Sequence, residues 1–114
     1  MNTRVVGRWG ENLAATYLSN NKYKIIDRNF VCHFGEIDLV AWDGETVVFV
    51  EVKARKDTSF GLPREAVDWR KQQTIIKCAT YWLYKKKQTG IPVRFDVVEI
   101  LGNKFTHIED AFRP

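Results

Sequence analysis

A small set of residues has the types and spacing to do chemistry: Asp38 in Gly35-Glu36-Ile37-Asp38, Glu51 and Lys53 in Val50-Glu51-Val52-Lys53, and Glu11 in Gly10-Glu11-Asn12-Leu13. Asp43-Gly44 separates two β-rich runs, 35–42 and 45–53, and Asp-Gly between such runs is a strong hairpin signal. With Asp43-Gly44 as a type I′ turn, Trp42 faces Glu45, Val40 faces Val47, Asp38 faces Phe49 and Glu36 faces Glu51. Side chains alternate along a strand, so Glu36, Asp38, Glu51 and Lys53 share one face. Asp38 and Glu51 are then diagonal neighbours with backbones about 7–8 Å apart. Carboxylates at that spacing can converge on one hard cation. A register slip of two residues preserves the shared face, and a slip of one destroys it.

A lone Glu-x-Lys is more often a solvated strand end or a plain ion pair. Here Val48, Val50 and Val52 line one face of the strand while Val47 and Phe49 share the other with Glu51, so both faces read as buried. Acids are depleted in strands and are rarely buried unless paired or metal-bound. Glu11 has Gly7, Ala14, Ala15 and Leu18 as its helical neighbours, which puts it at the border of a buried face. Gly7 and Gly10 each cost a helix about 1 kcal/mol, and close approach of the helix to the hairpin or to a phosphate backbone would explain them.

The elements that must position these residues follow from periodicity. Residues 3–19 read as a helix with Val6, Leu13, Ala14, Tyr17 and Leu18 on its apolar face, ended by Asn20-Asn21 in the left-handed conformation. A first strand covers 24–31 and the hairpin follows. A loop covers 58–63, and a long helix is expected over 64–88 with Pro63 near its first turn. Ala66, Trp69, Ile75, Ile76, Ala79, Trp82 and Leu83 form its buried stripe. Gly90-Ile91-Pro92 breaks that helix, a strand covers 93–100 and a short further one 105–108. The order αβββαβ gives an α/β fold with a mixed sheet flanked by helices.

With 114 residues the chain is one domain, 1–114. Hydrophobic residues at 45% and charged residues at 28% exclude a disordered, collagen-like or disulfide-dense protein. A net charge of +4 is compatible with a polyanionic partner without requiring one. Cys32 and Cys78 are each alone in their segments and read as buried reduced thiols, neither a disulfide framework nor a metal pair. The charged N-terminus lacks a signal-peptide apolar region, and no apolar run approaches the roughly 20 residues of a bilayer span. The expectation is a soluble, cytoplasmic protein with no membrane association.

Gly35-Glu36-Ile37-Asp38 followed by Val50-Glu51-Val52-Lys53 resembles the Asp…(Asp/Glu)-x-Lys core of the restriction-endonuclease-like superfamily. Together with Gly10-Glu11-Asn12-Leu13-Ala14, Phe49 to Arg55, Gly61 with Lys71, and Arg94-Phe95-Asp96, the blocks span nearly the whole chain and closely resemble the YraN family of small bacterial proteins, itself similar to archaeal Holliday-junction resolvases. The superfamily's frequent Pro before its first Asp is replaced here by Ile37. The resemblance implies a restriction-endonuclease-like core in which Asp38, Glu51 and the Val52 carbonyl ligate Mg²⁺ or Mn²⁺. It gives Glu11 the role of helping to hold the metal or its water shell. Lys53 would orient or deprotonate the attacking water and offset charge on the phosphorane-like transition state. The implied reaction is phosphodiester hydrolysis on DNA, with branched or structured DNA as substrate.

Arg55 continues the Glu-x-Lys alternation and is a candidate phosphate contact, with Arg64 and Lys71 as further nucleic-acid-binding residues. Lys85-Lys86-Lys87 reads as a solvated helix C-terminus. Trp9, Trp69 and Trp82 read as core and Trp42 as core or interface, His33 and His107 as isolated, and Asp96 as an acid on a half-exposed strand. Two functions from different classes remain: a metal-dependent nuclease, or a nucleic-acid-binding or adaptor domain that keeps the fold without efficient hydrolysis. Similar resolvases pair, and closed two-fold assemblies are the commonest, so a homodimer is expected.

Overall fold

The computed structural model describes residues 3–55 and 67–114, with side chains from Trp9 onward in the first stretch. Its elements are α1 (Thr3–Asn20), β1 (Lys24–Cys32), β2 (Gly35–Asp43), β3 (Thr46–Arg55), α2 (Trp69–Lys85), β4 (Val93–Leu101) and β5 (Lys104–Ile108). The five strands lie in sequence order in one mixed sheet. β1, β2 and β3 form an antiparallel meander, β3 and β4 pair in parallel across the α2 connection, and β4 and β5 form an antiparallel pair. This is the α/β arrangement expected from the sequence, a mixed sheet flanked by helices.

Each helix buries its apolar stripe on its own face of the sheet. Ala14 and Leu18 of α1 pack with Leu39, Val48, Val50 and Val98, while Ile75, Ala79 and Trp82 of α2 pack with Val40, Phe49, Phe95 and Val97. Each fully buried Val, Leu, Ile or Phe contributes about 1.5–3 kcal/mol, so the two slabs supply the bulk of the driving force. Phe49 anchors the α2 side, edge-on to Trp82 and stacked on Phe95, both at 5.6 Å. Trp82 also donates its indole N–H to Asp27 Oδ2 at 2.9 Å, so the buried ring has no orphaned donor. On the α1 side, an ideal Cβ on Gly10 would lie 2.8 Å from Ala54 Cβ, so this glycine permits α1 to lie directly on β3.

Both helices end in the same way. Lys22 and Lys87 take left-handed φ of 70° and 56°, and the amides of Tyr23 and Gln88 reach back to the carbonyls of Leu18 and Leu83. These are Schellman closures, and a lysine rather than Asn20 or Asn21 takes the left-handed position of α1. The second helix also begins later than expected. Asp68 caps it by accepting from the Lys71 amide at 2.8 Å, so it runs over Trp69–Lys85 rather than 64–88. Arg64, Ala66, Lys56 and the expected loop at 58–63 with Pro63 lie outside the described residues.

The hairpin register differs from expectation by two. Trp42 pairs with Val47 and Val40 with Phe49, and Asp43 pairs with Thr46, so the turn is Gly44-Glu45. Gly44 alone of that pair has positive φ, at 61°, which is the type II′ rather than the type I′ pattern. Asp43 is drawn into the ladder because its carboxylate meets Arg94 Nη1 at 2.8 Å. Trp9 and Trp69 are not core residues: they are 52% and 72% exposed, whereas Trp82 is buried and Trp42 packs half-buried on the α2 side.

Candidate functional site

The acidic residues gather where the sheet opens. The β2–β3 ladder ends at Leu39–Val50, one step short of the Asp38–Glu51 pair that the same register would make. Leu39 packs in the α1-side core while Ile37, two residues earlier, packs in the α2-side core, so the alternation of β2 is broken at Asp38. Across from it in β1, Asn29 takes a left-handed φ of 52°. The Asp38 side chain turns into the gap this leaves, and its Oδ2 accepts the Val52 amide at 2.8 Å. A strand residue presents its N–H and C=O to the same side, so the Val52 carbonyl also faces the gap.

Glu51 is 6% exposed and projects toward α2. Two ammonium groups converge on its Oε1: Lys53 Nζ at 3.6 Å from its own strand, and Lys71 Nζ at 3.8 Å from the first turn of α2. The first turn of α2 thus brings Lys71 beside Glu51. It is the Asp68 cap that sets where this helix starts, and with it the position of Lys71.

The electrostatics of the pair point one way. Burial lifts the Asp38 carboxyl, Glu51 adds repulsion, and the Val52 amide only partly offsets them, leaving it pushed up to about 7. Glu11, half-buried on α1, and the exposed Glu36 add smaller pushes. Burial also raises Glu51, against the pull of Lys71 and Lys53. Burial therefore works against the charged form of both acids, and repulsion by Glu51 adds to it at Asp38.

The donor set is oxygen throughout, which suits a hard cation of the Mg²⁺ or Mn²⁺ kind. Among the described residues no group of three or more His, Cys, Asp or Glu side chains converges tightly enough to hold an ion by itself. A cation held by Asp38, Glu51 and the Val52 carbonyl would need several waters to complete its shell, as Mg²⁺ keeps when one or two carboxylates hold it.

Other expected residues lie elsewhere. Arg55 does not face solvent as a phosphate contact: its Nη2 lies 2.8 Å from both carboxylate oxygens of Glu99, and the two side chains are 11% and 2% exposed. A guanidinium held in a nearly dry ion pair has little surface to offer DNA. Asp96 is not half-exposed but wholly buried. It receives Arg94 Nε at 2.9 Å, Nη2 at 3.0 Å, the Asp110 amide at 3.0 Å and His107 Nε2 at 2.7 Å, so His107 is not isolated either. Arg94 also reaches Asp43 and Tyr23, tying β2, β4, β5 and the C-terminal tail together. Cys32 and Cys78 are likewise not separate, with sulfurs 3.4 Å apart. Nothing in residue spacing signals these long-range partners, although Arg94 and Asp96 at i, i+2 on one strand share a face.

A mixed sheet with a Glu-x-Lys strand at its centre, split beside a second buried acid and flanked by one helix on each face, defines the class: a three-layered α/β domain. The chain belongs to the family described as Uncharacterised protein family UPF0102, the YraN family, whose model matches residues 10–100. It is 44% identical over 108 residues to a UPF0102 protein of Persephonella marina, covering 95% of this chain and 93% of the relative. A UPF0102 protein of Caldicellulosiruptor bescii is 47% identical over 119 residues, covering 98% and 100%. One of Geotalea daltonii is 46% identical over 114 residues, covering 96% and 90%. Among the described residues no helix is long and apolar enough to cross a membrane.

Proposed function

We propose that this protein is a metal-dependent nuclease that hydrolyses phosphodiester bonds in DNA, with branched or otherwise structured DNA as substrate. The observation that carries the reading is the pairing of two buried, mutually repelling carboxylates, Asp38 and Glu51, with two lysine ammonium groups on Glu51 Oε1. Asp38, Glu51 and the Val52 carbonyl would hold Mg²⁺ or Mn²⁺, and Glu11 would steady its water shell. The bound ion supplies Lewis-acid polarisation of the phosphate and a water of lowered pKa.

The chain's own residues do the rest. The Val52 amide fixes the Asp38 carboxylate in one orientation, so its second oxygen remains for a ligand. Lys53, one-third exposed, would orient or deprotonate the attacking water and offset charge developing on the phosphoryl oxygens. Lys71, held from α2, favours the ionised form of Glu51 against its burial and would offer a donor to a non-bridging oxygen. Two strands of a branched substrate require two cuts, which a homodimer would supply.

Incubation of the purified protein with flap, fork and four-way-junction DNA in Mg²⁺ or Mn²⁺ tests this. Cleavage should occur and should disappear in Glu51→Ala and Lys53→Ala proteins. Equal cleavage by wild type and variants would identify a contaminant. A second reading, a nucleic-acid-binding or adaptor domain without efficient hydrolysis, is favoured by one feature: Glu51 already has two ammonium partners, which compete with a cation. DNA binding without Mg²⁺ or Mn²⁺ binding at millimolar concentrations would select it.

A further inference from the structure

We infer that Cys32 and Cys78 form an oxidisable dithiol site, which a peroxide or a small-molecule disulfide converts to an intramolecular disulfide joining the end of β1 to α2. Their sulfurs are 3.4 Å apart although the residues stand 46 positions apart in the chain, and both are thiols. A disulfide is about 2.05 Å long, so the sulfurs need approach by little more than 1 Å.

The contact is built into the packing. The turn after β1 presses on α2 so closely that a Cβ on Gly35 would lie 2.7 Å from Thr74 Cγ2 and 3.7 Å from Cys78 Sγ. Gly35 has φ of 148°, and its lack of a side chain is what lets the chain pass there. The two thiols also differ in access. Cys32 is the last residue of the edge strand β1, partly exposed and next to the exposed His33 and Phe34, whereas Cys78 is fully enclosed.

That difference sets the order of events. With hydrogen peroxide, the Cys32 sulfur attacks the O–O bond and becomes a sulfenic acid, releasing one water. The Cys78 sulfur then attacks Cys32 Sγ, the S–O bond breaks, and a second water leaves. Two thiols lose two protons and two electrons, and the peroxide is reduced to two waters. With glutathione disulfide, Cys32 forms the mixed disulfide and Cys78 displaces the second glutathione thiol. Burial pushes the Cys78 thiol up to about 12, so Cys78 is not the thiol that meets the oxidant first, and its attack on Cys32 Sγ relies on the short distance between the sulfurs. Lys71 precedes Cys78 by seven residues on α2, so the cross-link fastens the helix that presents this lysine to Glu51.

The test is oxidation of the native full chain with hydrogen peroxide or glutathione disulfide, followed by denaturation, maleimide labelling and intact mass measurement. The wild type should lose about 2 Da, take up no maleimide, stay monomeric on a non-reducing gel and revert with dithiothreitol. Its unfolding midpoint should rise by several degrees relative to the reduced protein, as a cross-link that fits the native contact constrains the unfolded chain. In Cys78→Ser, Cys32 should instead accumulate as a glutathione adduct or a dimedone-trapped sulfenic acid. In Cys32→Ser, which alters only the partly exposed position, Cys78 should remain fully alkylatable after denaturation. Two maleimide adducts on oxidised wild type, disulfides found only between chains, or a midpoint lowered by oxidation would each overturn the inference. None of these readouts depends on nuclease activity.

Discussion

The Val52 amide donates to Asp38 Oδ2 at 2.8 Å at the step where β2 and β3 cease to pair. A backbone hydrogen bond that would have gone to a strand carbonyl goes to a carboxylate instead. That bond favours the ionised acid, but burial and the neighbouring Glu51 outweigh it. The ionised form of Asp38 is therefore held against the site's own electrostatics, at a cost in stability.

The first prediction follows for Asp38→Asn. The Asp38 carboxyl is raised from 3.8 to about 7, so between those values the folded chain keeps a proton that the unfolded chain has lost. Its contribution to stability is greatest below pH 4 and falls as pH rises toward 7. Asp38→Asn keeps an oxygen for the Val52 amide and removes the charge. It should stabilise the protein at pH 8 by on the order of 2–4 kcal/mol and change little at pH 4, while abolishing cleavage. Urea denaturation at the two pH values measures this, and a destabilised variant at pH 8 would contradict it. Millimolar Mg²⁺ should raise the wild-type midpoint and leave that of Asp38→Asn unchanged.

The two lysines on Glu51 should separate by pH profile. Burial raises the Glu51 carboxyl and Lys71 is the largest opposing influence. Lys71→Ala should thus move Glu51 ionisation, and the acidic limb of cleavage, to higher pH, with activity regained at alkaline pH. Lys53→Ala removes the group nearest the reacting water and should lower cleavage at least ~100-fold at every pH. Carbon-13 NMR titration of the Glu51 carboxyl reads the first effect without any substrate. An unshifted titration in Lys71→Ala would refute the assignment.

How much of this could be read from residues alone is itself governed by range. The strands and α1 announce themselves by period, and even a register two residues off leaves Glu51 and Lys53 on one face, because a slip of two preserves parity; that this face is the one α2 covers is not encoded in the spacing. The break at Asp38 was not legible: it arises where one strand changes faces, and no local pattern encodes that. The start of α2 differs from the periodic expectation because local capping chemistry at Asp68 overrides periodicity at the helix end. Arg55 was assigned to phosphate by alternation, yet its partner Glu99 comes from a parallel neighbour 44 residues away. Partners at that range are invisible to spacing arguments.

Asp96 should respond oppositely to the substitution that stabilises at Asp38. Burial alone would raise its carboxyl, but His107, Arg94 and the Asp110 amide hold it below the usual carboxylate range. A depressed carboxyl contributes stability above pH 3.8 that is lost as pH falls through its folded value. Asp96→Asn leaves the half-buried Arg94 without its main counter-charge at a wholly buried position and should destabilise by about 3 kcal/mol at pH 7. The same Asp-to-Asn change would then have opposite signs at two buried sites of one sheet, as thermal unfolding of both variants at pH 8 can check.

The seat of α1 on β3 gives the last prediction. Replacing Gly10 by Ala should gain about 1 kcal/mol of helix propensity. The new methyl, however, would meet Ala54 Cβ at 2.8 Å, and neither short side chain can swing aside. The backbones must separate, and overpacking of this kind typically costs about 1–3 kcal/mol, so Gly10→Ala should be neutral to destabilising despite its better propensity. Ala54→Gly removes the opposing atom. Alone it weakens β3, but combined with Gly10→Ala it should restore the propensity gain, so the double variant is more stable than the sum of the single changes predicts. A coupling energy of zero in that cycle, measured by urea unfolding, would mean that the helix does not rest on the strand at this point. Glu11, the next residue, would then lose the contact that sets its distance from Asp38.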